Sequence, residues 1–111
     1  MSLSDKENGA ILELGQLLRK RFGDRIKTIL LYGSKARGDS DVHSDTDLFI
    51  LVDREDKVIR DYLLEAAYET NLKYDVVLSV VICGQEKFDN PLYKITPFIN
   101  NVLKYGIKIE S

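Results

Sequence analysis

The chain has 111 residues, 44% hydrophobic and 31% charged, an ordinary balance for one globular domain spanning residues 1–111. Sixteen basic against eighteen acidic residues leave a net charge of −2, which excludes a general attraction to nucleic acid, so no direct nucleic-acid binding is expected. No apolar run approaches the roughly 18 residues a membrane span needs, MSLSDKENGA carries no secretory pattern, and one cysteine excludes an internal disulfide, so a cytoplasmic protein is expected.

Residues 4–22 predict a first helix, with Ser4 and Glu7 in a capping-box pattern and Ile11, Leu14, Leu18 and Phe22 at helical spacing. Gly23-Asp24 ends it. IKTILLY (26–32) is a first strand, and Gly33 to Gly38 a turn leading into a short helical piece. LFILV (48–52) is nearly all apolar, as expected of a strand covered on both faces. Residues 55–72 give a second long helix with Ile59, Tyr62, Leu63, Ala66 and Ala67 on one stripe. Tyr62 on that stripe reads as core or partner surface. YDVVLSVVI (74–82) is a third strand, residues 91–104 a last helix with Pro91 in its first turn, and GIKIE a short terminal strand or tail. Cys83 closes an apolar run and reads as a small buried residue rather than a reactive thiol. The alternation of helices and strands argues for an α/β (α+β) sheet with helices packed against it.

The chemistry-bearing residues cluster around LLYGSKARGDSDVHSDTDLFILVD (30–53). If Asp45-Thr46-Asp47 enters the second strand extended, both carboxylates share a face, with Cα atoms roughly 7 Å apart. Two unit charges at that distance repel by about 2.5 kcal/mol at an effective dielectric of 20. A divalent cation reverses the sign of that interaction, and oxygen-only ligands suit Mg²⁺ or Mn²⁺. Asp75, a lone charge opening the third apolar run, is expected at the same sheet edge. Three carboxylates on two adjacent strands could hold two cations about 4 Å apart, the arrangement used for in-line displacement at phosphorus.

The turn complements the carboxylates. Gly33 permits a close backbone approach, the following amides suit anionic oxygens, and Ser34, Lys35 and Arg37 add a hydroxyl and positive charge. An anion site facing a cation site is what a triphosphate carried with Mg²⁺ requires. GSKARGDS has P-loop glycine spacing but Asp39 where the loop needs Lys. As an EF-hand loop, DSDVHSDTDLFI has Ser44 for the required Gly and Ile50 for the bidentate Glu. Both alternatives fail. Asp39 and Asp41 read as solvated loop residues, and His43, the sole histidine, as an exposed one.

Gly33-Ser34, ten residues, Asp45-x-Asp47 and a later lone Asp resemble the polymerase-β-like nucleotidyltransferase superfamily. GSKARG…SDTDL in so short a chain is similar to its minimal nucleotidyltransferases, often encoded beside a HEPN-domain partner as a toxin–antitoxin pair. The likeness runs from Ile26 to Val81, plausibly with YGIKI as well. It implies a small mixed β-sheet flanked by helices, with Asp45 and Asp47 binding the metals. Asp75 would complete the site and help activate the attacking hydroxyl, and Gly33 and Ser34 would contact the triphosphate. Lys35 stands where Arg is common, a point charge in place of a fork, which makes Arg37 the better phosphate contact. Thr46 occupies a usually apolar place, from which nothing follows.

The implied reaction passes a nucleoside monophosphate, AMP from ATP, to a hydroxyl acceptor with loss of pyrophosphate. In the HEPN-paired branch the acceptor is a tyrosine of the partner toxin, held as a hetero-oligomer. The alternative is a catalytically idle antitoxin that neutralises its partner by occlusion.

Overall fold

The computed structural model describes residues 3–38 and 45–109. Asp39, Asp41, His43 and Ser44 lie outside the described residues. The first helix, α1 (Asp5–Phe22), begins as its sequence predicts: the Ser4 hydroxyl accepts from the Glu7 N–H at 3.1 Å, and Glu7 Oε1 accepts from the Ser4 N–H at 3.0 Å. A 3-10 turn at Gly23–Arg25 leads into β1 (Ile26–Tyr32). One helical turn, α2 (Ser34–Arg37), precedes β2 (Thr46–Val52). Then come α3 (Lys57–Tyr74), β3 (Leu78–Gly84), α4 (Gln85–Asp89), α5 (Pro91–Lys94), α6 (Pro97–Tyr105) and β4 (Ile107–Lys108).

The strands form a mixed sheet in the order β3-β2-β1-β4, with β2 and β3 parallel and the β1–β2 and β1–β4 pairs antiparallel. A parallel pair needs a long crossover, which α3 supplies. β2 is buried at every residue except Asp47, which is half-buried. Alternation divides it between two faces. Leu48, Ile50 and Val52 pack with Leu14, Leu18, Ile59 and Leu63 of α1 and α3. Phe49 and Leu51 pack on the other face with Cys83, Ile99 and Val102. Arg25 fastens the far end, with Nε 2.9 Å from Asp53 Oδ1 and Nη2 2.9 Å from Asp56 Oδ2, the carboxylate that also caps α3. Leu63 is fully buried between α3 and the sheet. Leu63→Ala is expected to cost about 2–5 kcal/mol by chemical denaturation.

Two predicted elements are corrected. The third strand begins at Leu78 instead of Tyr74, because α3 continues through Tyr74. Lys73 Nζ and the Tyr74 hydroxyl both reach Glu13 Oε1 on α1, at 2.7 and 3.2 Å, so packing on α1 overrides the β-propensity of the local sequence. The last helix is broken into α5 and α6, with α4 before them. Pro97 lacks the N–H that a continuous helix needs, and Thr96 caps the new start by accepting from the Ile99 N–H at 3.4 Å. Among the described residues, no helix is long and apolar enough to cross a membrane.

Candidate active site

Antiparallel pairing sets Tyr32, the last residue of β1, opposite Asp47 of β2. The Gly33 turn therefore lies directly beside the Asp45-Thr46-Asp47 entry. Gly33 has φ 76° and ψ −158°, and a Cβ built there would collide with Asp47 Oδ2. A larger residue there would have to displace the carboxylate. The close approach expected of this glycine is thus made to the carboxylate.

Asp45 is exposed and Asp47 half-buried at the edge of the face that carries Phe49. Burial first, and the neighbouring Asp45 charge second, raise the Asp47 carboxyl above its ordinary value of 3.8, while the Arg37 guanidinium pulls it down. Asp45 is therefore a repelling neighbour of Asp47, and Arg37 an opposing cation.

The third predicted carboxylate is elsewhere. Asp75 is the C-cap of α3, exposed, in the left-handed conformation (φ 56°, ψ 52°), with its N–H bonded to Asn71 O. Two residues, Val76 and Val77, separate it from the start of β3. Ser79 instead pairs in register with Asp47, and its hydroxyl donates to Asp45 Oδ2 at 3.1 Å. Among the described residues, no group of three or more His, Cys, Asp or Glu could hold a metal ion. Among the described residues, Asp45, Asp47 and Asp75 do not form such a three-carboxylate group. Two carboxylates do fit one Mg²⁺, which commonly takes one or two carboxylates and completes its shell with substrate phosphates and water. Asp75 is exposed and belongs to no described group that could hold a metal, so Asp75→Asn is expected to change nucleotide transfer by less than about twofold, the scale of an ordinary exposed substitution. Labelled transfer compared with wild type checks this.

Lys35 is 4% exposed, and its Nζ lies 3.1 Å from Glu7 Oε2 on α1. Arg37 is exposed, and its charge acts on the Asp47 carboxyl. Ser34 is half-buried at the first position of α2. Ser79 escaped notice because a serine in an apolar run carries no charge signal; only the strand register marks it. Cys83 is buried, and burial pushes its thiol up, as suits a core residue. A surface hollow of about 400 Å³, lined by Asp53, Arg54, Glu55, Glu86 and Lys87 among others, lies at the opposite end of β2. Its charges are mixed, and Asp53 on its lining is six positions along the chain from Asp47, about 20 Å at the strand rise per residue.

A turn pressed on Asp47, with Asp45 two residues before it and the Arg37 charge acting on the same carboxyl, suits the handling of phosphate. The chain belongs to the nucleotidyltransferase domain family, which matches residues 12–109, and it is a nucleotidyltransferase. It is 36% identical over 100 residues to "Putative protein adenylyltransferase MJ0604" of Methanocaldococcus jannaschii, covering 90% of this chain and 94% of that protein. It is 34% identical over 110 residues to "Putative protein adenylyltransferase MJ1305" of the same organism, covering 92% of this chain and 69% of that one. Among solved structures, a toxin–antitoxin crystallised with AMP-PNP shares the fold, with TM-score 0.61 and 21% identity over 95% of this chain and 72% of that one. A point mutant of the MntA-HpeT toxin–antitoxin matches with TM-score 0.58 and 20% identity, over 99% of this chain and 74% of that one.

Proposed function

We propose that this chain is an Mg²⁺- or Mn²⁺-dependent protein adenylyltransferase. It transfers AMP from ATP to a tyrosine hydroxyl of a HEPN-domain toxin and so acts as that toxin's antitoxin in the cytoplasm. The observation that carries the reading is Asp47 near the start of β2 with Gly33 pressed against it, and Asp45, just before the strand, tied to Ser79, the register partner of Asp47. The protein adenylyltransferase names of the relatives support the transferred group. The fold shared with toxin–antitoxin proteins supports the partner.

The acceptor oxygen forms a bond to the α-phosphorus of ATP, the bond from that phosphorus to the bridging oxygen breaks, and pyrophosphate leaves with that electron pair. The hydroxyl proton passes to base or water. Asp45 and Asp47 are the residues that would hold the divalent cation, which when bound neutralises triphosphate charge and makes the α-phosphorus more electrophilic. Ser79 holds Asp45 in place. Gly33 and Ser34 line the turn for the triphosphate, and Arg37 supplies a forked donor for its oxygens.

One observation favours the idle-antitoxin alternative: Ser79 stands opposite Asp47 where a third carboxylate was expected from β3. The two readings part in one experiment. Proteins of the native cell extract are incubated with α-labelled ATP and Mg²⁺, using wild type and Asp45→Ala/Asp47→Ala. Label on one protein, with wild type only, is the expected result. No label, with a co-purifying partner held equally by both variants, would establish occlusion instead.

A further inference from the structure

Glu7 belongs to neither motif and touches both. Its Oε1 closes the capping box on the Ser4 N–H at 3.0 Å. Its Oε2 accepts from the Thr46 hydroxyl at 2.5 Å and lies 3.1 Å from Lys35 Nζ. Thr46 is 1% exposed and Lys35 4%. Thr46 separates the two carboxylates, and strand alternation turns its side chain to the opposite face, under α1. Lys35 is the second residue beyond Gly33. From behind the sheet, one carboxylate thus grips the strand that carries Asp45 and Asp47 and the turn that lies against them.

Helix capping alone accounts for only one of these contacts, since a capping glutamate needs nothing beyond the N-cap N–H. A buried ammonium and a buried hydroxyl converging on the same oxygen form a polar network that fixes geometry when fully satisfied. Among the described residues no buried side-chain nitrogen or oxygen lacks a partner. Burial opposes ionisation of Glu7. The Thr46 hydroxyl, the Ser4 N–H, Lys35 and the Ser4 hydroxyl outweigh it, lowering the carboxyl from 4.5 to about 2, so the grip stays charged at neutral pH.

We propose that Glu7 is a positioning residue for the nucleotide site. Through Thr46 and Lys35 it sets the spacing between the Asp45–Asp47 pair and the Gly33-Ser34 turn. The inference rests on the nucleotidyltransferase reading of that site, and it assigns Thr46 and Lys35 a role in the fixed geometry rather than in phosphate contact.

The test measures the affinity of the full chain for Mn²⁺ with AMP-PNP by paramagnetic resonance, at a temperature where every variant compared is folded. Thr46→Val, which removes only the hydroxyl, and Glu7→Gln are each expected to weaken binding about tenfold or more, as loss of an orienting partner does at metal sites. Thr46→Ser, which restores the hydroxyl, stays within about twofold of wild type, and the Val/Gln double variant is no worse than the weaker single one, as members of one network behave. A lowered melting temperature with unchanged affinity in the folded variants would overturn the positioning role while leaving the nucleotide site standing. Absence of binding by wild type would overturn both. Should Glu7→Gln fail to fold, the Val and Ser pair at position 46 decides alone.

Discussion

Asp47→Asn is expected to lower nucleotide transfer by at least about 100-fold, the scale set by removing one preorganised electrostatic partner of a transition state. At the same time the variant should be as stable at pH 7 as wild type, or more so. Asp47 is half-buried beside Asp45, and its carboxyl is raised above 3.8 by that burial and that neighbour. A raised carboxyl binds its proton more tightly in the folded state. Its contribution to stability is therefore full at low pH and is lost as pH rises from about 3.8 through the folded value. At pH 7 the charge opposes folding, and the neutral amide removes that opposition. The advantage of Asn should shrink as pH falls below the folded value of Asp47. Transfer assays alongside melting curves at pH 7 and pH 3 check both halves. A residue that lowers stability where it stands, yet is needed for activity, is the pattern expected of a working site.

Gly33→Ala is the second large effect. The backbone at φ 76° and ψ −158° lies in a region that is essentially glycine's alone, and an L-residue there costs about 1–3 kcal/mol. The added methyl must also displace the Asp47 carboxylate, and a shift of about 1 Å in a positioned group costs about 100-fold in rate. Reduced transfer together with a lowered denaturation midpoint is expected. Gly38→Ala shares the positive φ, at 80°, but a Cβ there meets none of the described residues within 4 Å. It should therefore lose stability without a comparable loss of activity. Measured side by side, the two substitutions separate backbone strain from contact with the carboxylate.

The parts legible in the sequence are those set by local patterns. Ser4 with Glu7 marks the start of α1, IKTILLY marks β1 to the residue, and an apolar LFILV marks a strand covered on both faces. The spacing between Gly33-Ser34 and Asp45-x-Asp47 marks two segments that the pairing of Tyr32 with Asp47 brings side by side. What escaped depends on contacts distant in sequence. Asp75 looked like a strand residue until Glu13, about 60 positions away, held Lys73 and Tyr74 in helix and made Asp75 its cap. Lys35 looked like a phosphate ligand until Glu7 was found beneath it. Thr46 carried no inference as a departure from an apolar norm; its meaning lies in the same glutamate. Pro97 lies inside the span 91–104 expected as one helix, and its missing N–H makes two.

Nucleotidyl transfer is distinguished most directly from every other use of ATP by following two labels. The chain and its co-purified partner are incubated with Mg²⁺ and ATP labelled at either the α- or the γ-phosphate, and the protein is then separated from nucleotide under denaturing conditions. Retention of the α-label on the partner, with the γ-label released entirely as pyrophosphate, is the predicted result. Retention of the γ-label, or of neither label in the presence of a folded, nucleotide-bound chain, would contradict the account.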